Sequence, residues 1–305
     1  MDLADGRAAA GTARRQGKIE RPARRRAEHH ANHGFLSLEE ARRTSAAVPD
    51  LFDMKVRALR RDRAARIGPE LFLYERAFAD CLERLSLVQR RFERALLIGS
   101  PDPGWPERLR AYAAEVDVRD PGALFAQRAG GKVVVEDHLD RETAAHDLVV
   151  AVGTVDTVNE LPLALRLIRD AMTPTGLLIG AISGGDTLPQ LRSAMRAADA
   201  VTGAAAPHVH PRVEASALAP LLEAAGFNQP VVDVERVSVS YVSFERLIGD
   251  LRAMGATNVL TERPHFVGRA ARQAAASAFV DAGDGSRTTE KFETLHFAAW
   301  TISNG

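Results

Sequence analysis

Cysteine is almost absent: Cys81 is the single one among 305 residues, which excludes an internal disulfide framework and any cysteine-rich metal site and fits a reducing compartment. Net charge is absent too. With 40 Lys and Arg against 40 Asp and Glu, no global field draws the chain to nucleic acid or to an anionic membrane, so neither is an expected partner. No apolar run is long enough to span a bilayer, and no integral membrane segment is expected. Glycine is missing where a nucleotide-binding turn needs it. The apolar run Arg94-Ala95-Leu96-Leu97-Ile98 leads into Gly99-Ser100-Pro101-Asp102-Pro103-Gly104, so two prolines stand among positions where such turns place glycines and backbone N–H donors.

What is present is enough for a large core: 46% of the residues are hydrophobic, and the length suits one domain with an appendage. Residues 1–48 read as a disordered basic extension, with Arg14, Arg15, Lys18, Arg21, Arg24, Arg25 and Arg26 among alanines. An organelle-targeting peptide is the other reading of such a start. His29, His30 and His33 have metal-like spacing but no core to fix them, so no metal is expected. Residues 49–305 form the expected folded domain.

Its periodicity predicts two helices, around Leu51–Leu59 and Leu71–Leu85, before a first strand at Arg94–Ile98. A helix over Pro106–Ala113, short strands at Glu115–Val118, Lys132–Val135 and His146–Val152, and a helix over Glu160–Met172 follow. Thr173-Pro174-Thr175-Gly176 reads as a stop before a fifth strand, Leu177–Ile182. This alternation predicts a doubly wound α/β sheet. Helices are then expected at Thr187–Ala200, Ser216–Ala225, Ser243–Met254 and Pro264–Phe279, with strands at Val231–Tyr241 and Phe292–Ile302. The last is patterned for an antiparallel edge.

Several segments in this order resemble one family. They are Phe52-Asp53, Arg60-Arg61-Asp62-Arg63-Ala64-Ala65, Asp147-Leu148-Val149-Val150, Val158-Asn159-Glu160-Leu161-Pro162, Gly184-Gly185-Asp186-Thr187-Leu188 and Asp250 through Asn258. Together they are similar to class I S-adenosylmethionine-dependent methyltransferases, in the branch of the BioC-like enzymes and the mitochondrial complex I assembly factors. The resemblance implies a Rossmann-like fold with a seven-stranded, mostly parallel sheet, one inserted antiparallel strand and N-terminal helices. It also implies S-adenosylmethionine as cofactor, held by Gly99, by Asp117 on the ribose hydroxyls, and by Glu136 and Asp137 beside the adenine. Leu97, Ser100 and Pro101 depart from the family turn. Lost donors and a misplaced proline would weaken binding by about two to four decades.

On the acceptor side, Asp186, His208 and Tyr241 are the candidate catalytic residues; capping, loop structure and packing are their plainer roles. The expected activity is methyl transfer to a carboxyl group or protein side chain, within complex I assembly, on a protein client or carrier-protein substrate. Arginine hydroxylation belongs to the mitochondrial branch. The alternative is a non-catalytic assembly chaperone. The expected compartment is the cytoplasm, or else the mitochondrial matrix.

Overall fold

A computed structural model describes residues 49–140, 144–264 and 266–301; the basic extension with its three histidines lies outside them. Helices α1 (Met54–Ile67) and α2 (Phe72–Ser86) precede strand β1 (Phe92–Ile98). Next come α3 (Trp105–Leu109), β2 (Ala113–Asp120), α4 (Ala123–Arg128), β3 (Lys132–Val133) and β4 (His146–Val152). Helix α5 (Leu161–Asp170), β5 (Met172–Ser183), α6 (Pro189–Thr202) and α7 (Ala215–Ala224) continue the alternation. The chain closes with β6 (Asn228–Tyr241), α8 (Phe244–Ala253), α9 (Arg269–Asp281) and β7 (Thr288–Trp300).

The seven strands form one sheet in the order β3-β2-β1-β4-β5-β7-β6. The first five are parallel, and β7 runs antiparallel to both β5 and β6. The strand predicted for an edge is therefore interior, and β6 is the edge. Alternation alone could not separate them, because β6 also alternates along most of its length.

Period-two alternation builds a core on each face of the sheet. Leu96, Ile98, Val149 and Ala151 face α5 and α7, among Leu165, Ile168, Leu218 and Leu222. Ala95, Leu97, Leu148 and Val150 face α2 and α3, among Phe78, Cys81, Leu85 and Trp105. Cys81 is buried there, and burial pushes its thiol up to about 12. A third cluster joins α6, α8 and α9 through Leu191, Leu247 and Phe279.

Two boundaries move in ways that matter. The predicted helix over Pro106–Ala113 stops at Leu109, and β2 begins at Ala113 because that residue pairs with Phe92. Tertiary pairing here outweighs the helix preference of Ala-Tyr-Ala-Ala. The predicted stop at Thr173–Gly176 lies inside β5, which pairs with β4 from Met172 onward across a register shift.

Trp105 stacks on Phe78 with ring centroids 4.2 Å apart and 8° between planes, and it is fully buried. That stack ties α2 to the turn after β1. Trp105→Ala is expected to cost about 3–5 kcal/mol, read as a fall in the urea midpoint with an unchanged slope.

Candidate functional site

The carboxyl ends of β1, β2 and β4 define the crevice where open α/β sheets bind ligands. Gly99 adopts a φ of +85°, and a Cβ there would strike the carbonyl oxygen of Val152, so glycine is required for β1 and β4 to approach at the rim. Its N–H donates to the Arg119 carbonyl at 2.8 Å. The Ser100 N–H donates to Asp120 Oδ2 at 2.9 Å, and the Gly104 N–H to Asp102 Oδ1 at 2.6 Å. Pro101 and Pro103 have no N–H to give. The turn's N–H groups from Gly99, Ser100 and Gly104 thus serve the protein itself.

Asp117 is not at the rim. It pairs with Leu96 in mid-strand, three residues or about 10 Å below the end of β2, because β2 runs on to Asp120. Its carboxylate takes Arg94 at 2.7 Å and His146 at 2.9 Å. Burial pushes that carboxyl up, but the His146 hydrogen bond and the Arg94 charge outweigh it and hold it below the usual carboxylate range. The acid at the rim is Asp120. Asp120-Pro121-Gly122 is a turn signal that marks the strand end in the sequence.

Asp120 is fully buried and fully engaged. Arg61 of α1 grips it through Nε at 2.8 Å and Nη2 at 2.6 Å, and the Ser100 and Gly122 N–H groups complete its acceptor set. Burial alone would lower the Arg61 guanidinium's pKa; Asp120 reverses that and raises it. Four residues earlier, on the same face of α1, Arg57 grips Glu136 through two 2.7 Å hydrogen bonds and donates a third to the Thr154 carbonyl. Asp137 accepts from the Glu160 N–H at 3.1 Å and lies 3.0 Å from His138 Nδ1. Arg57 and Arg61 were not foreseen as site residues. Their signal was an i, i+4 pair aligned with Ala64 and Ala65, which makes the buried face of α1 cationic.

Beside these pairs lies a cavity of about 90 Å³, well under the 300–1,000 Å³ usual for small-molecule sites. Tyr74 of α2 packs over Gly153, just past β4, where a Cβ would meet the ring. Asp156 and Arg212 form a buried ion pair at its wall. His210 accepts from the Val259 N–H at 2.9 Å and sits edge-on to Phe52. Burial, then Arg212 and Arg192, push its pKa down to about 3, so it is a neutral acceptor.

The three candidate catalytic residues are not brought together. His208 lies 2.7 Å from Asp199 and borders a separate, larger cleft. Asp186 is exposed, 3.7 Å from Arg236. Tyr241 is buried with the α6, α8 and α9 cluster, where burial and Asp250 raise its pKa.

As folded, these residues do not fit S-adenosylmethionine. The ribose-level acid, Asp120, has no free acceptor direction, both Glu136 oxygens are bound by Arg57, and the remaining space is too small.

No protein-family model matches the chain. Arginine-hydroxylase NDUFAF5, mitochondrial, of Mus musculus is 28% identical over 280 residues, which span 84% of this chain and 79% of that protein. Malonyl-[acyl-carrier protein] O-methyltransferase of Laribacter hongkongensis is 28% identical over 263 residues, 78% of this chain and 86% of the relative. A Bacillus halodurans structure described as a methyltransferase superposes with a TM-score of 0.51 at 10% identity, over 74% of this chain and 99% of the other, a likeness of fold. The chain is a homologue of both named groups and carries the Rossmann-like class I methyltransferase fold.

Removing one member of a buried pair strands the other. Arg61→Met alone is expected to lose about 3–5 kcal/mol in chemical denaturation, and Arg61→Met with Asp120→Leu to lose less than the sum of the two single variants, although it still strands the Ser100 and Gly122 N–H groups; a loss under about 1 kcal/mol in Arg61→Met would contradict the pairing. His210 carries a pH signature. Its folded pKa of about 3 lies below the ordinary histidine value, so its contribution is complete above pH 6.5 and declines as pH falls toward 3. At pH 5 the wild type should have lost about 2 kcal/mol through this group, a decline that His210→Gln removes from a pH series of urea midpoints.

Proposed function

We propose that this chain is a methyltransferase-like protein that acts on a group presented by another protein, a carrier-borne carboxyl or a protein side chain, in the assembly of respiratory complex I. One observation carries this reading: similarity to a relative named for arginine hydroxylation covers 84% of the chain, and similarity to one named for carrier-protein methylation covers 78%. The two chemistries differ, but a malonyl carboxyl on a carrier and an arginine side chain can both be delivered by a protein client. The mitochondrial names of the first relatives favour a matrix setting over the cytoplasm.

Within this reading Asp120, rather than Asp117, is the residue suited by position to the ribose hydroxyls, with Gly99, Glu136 and Asp137 around it. S-adenosylmethionine would supply the methyl group. Its binding requires α1 to withdraw Arg61 from Asp120, because a carboxylate saturated by guanidinium and backbone donors has no lone pair for a hydroxyl. No catalytic step is assigned to Asp186, His208 or Tyr241, which lie apart.

The two bidentate pairs favour a second reading, in which the crevice is permanently closed and the chain is a non-catalytic assembly chaperone. Calorimetric titration with S-adenosylmethionine separates them. The enzyme reading expects saturable binding with a Kd below about 100 μM, weakened at least tenfold by Asp120→Asn. Absence of heat at millimolar ligand, with the chain well folded by circular dichroism, overturns it in favour of the chaperone.

A further inference from the structure

A cavity of about 620 Å³ is lined by residues of α1, α6, α8 and α9. That volume is in the range of small-molecule sites. Part of its wall is apolar: Leu188, Leu191 and Met195 line it from α6 and its cap, Val209 from the following loop, and Ile248 and Ala275 from α8 and α9, with His210 and Arg212 also in the lining.

Its lining carries more cations than acids. The acidic residue of the lining, Glu245, is shared with Arg272 at 3.5 Å, and Arg263 is held by Asp53 at 3.2 Å. His208 already has Asp199. Arg60 and Arg63 of α1 and Arg252 of α8 remain, and among the described residues no carboxylate pairs with any of the three. Arg63 gives one Nη2 hydrogen bond to Thr257 at 2.9 Å, while the Nε atoms of Arg60 and Arg63 are buried with no acceptor. Burial and the neighbouring arginine charges lower the pKa of both. Like charges are held together here with donors unused, which is costly unless an anion completes them.

We propose that this cleft binds a free amphiphile with a phosphate monoester head, the head on Arg60, Arg63 and Arg252 and the alkyl tail against the apolar side chains of the α6 and α8 wall. Three guanidinium groups converging from two helices suit a head with several acceptor oxygens and close to two negative charges, more than they suit a planar carboxylate. The tail is placed by the apolar side chains of the cleft itself, Leu188, Leu191, Met195 and Ile248, because the wall shared with the small cavity carries the buried His210 and Arg212 beside Leu188 and Leu251. The inference goes beyond the proposed function and holds whether or not a methyl group is transferred.

The test is calorimetric titration of the full chain with monomeric decyl phosphate, beside inorganic phosphate, decanoate and decyl maltoside. Saturable binding of decyl phosphate is expected, at least tenfold tighter than any of the other three. Arg60→Gln with Arg63→Gln should weaken it at least tenfold, and Met195→Trp, which fills the interior and leaves the arginines in place, should weaken it likewise. Circular dichroism and the unliganded melting temperature identify variants that remain folded. Equal affinity for decyl maltoside overturns the role of the head, equal affinity for inorganic phosphate overturns the role of the tail, and unchanged affinity in a folded double-arginine variant overturns the site.

Discussion

The Arg61–Asp120 contact organises the crevice. It joins α1 to the end of β2, satisfies a carboxylate that would otherwise be stranded in the interior, and takes up the N–H of Ser100, so the turn after β1 is drawn inward as well. A buried ion pair of this kind contributes little net stability over an apolar pair of the same shape, but it is strongly disruptive when halved. Its effect is therefore on arrangement. With Arg57–Glu136 one turn away, it sets where α1 lies and how much room is left beneath it.

The segments that carry the family likeness fit this account. Asn159 brackets the backbone of Phe52 with hydrogen bonds of 2.7 and 3.1 Å, fixing the start of α1 to the loop after β4. Asp53 caps α1 and holds Arg263. Asp62 accepts the Leu124 N–H at the start of α4, and Asn258 bridges the Pro207 carbonyl and the Leu260 N–H. These motif residues position helices over the sheet. A chain can keep them under structural constraint alone, so their presence speaks for the fold and not for the cofactor.

The sheet was legible because short apolar runs alternating with amphipathic helices have few other solutions. The site was less so. Asp117 and Asp120 are both acids in one strand, and which of them meets the rim depends on where β2 ends, a matter decided by pairing with β1 rather than by local composition. The partners of Arg57 and Arg61 were not legible, since nothing local says that two carboxylates 79 and 59 residues away will receive them. The loss of glycine and the gain of proline in the turn were visible from the start. That visible change and the hidden arginines concern the same space.

The outer position of β6 has a further consequence for how another protein can approach. An edge strand offers unpaired backbone groups on which a foreign strand can grow. Here Pro230 withholds one amide, a register shift separates Asn228 from Val231, and Asp233 and Glu235 are clamped by Arg84 and Arg76 of α2. Extension of the sheet strand by strand from this edge is thereby discouraged, and a partner meeting this side of the molecule meets side chains before it meets the backbone ladder.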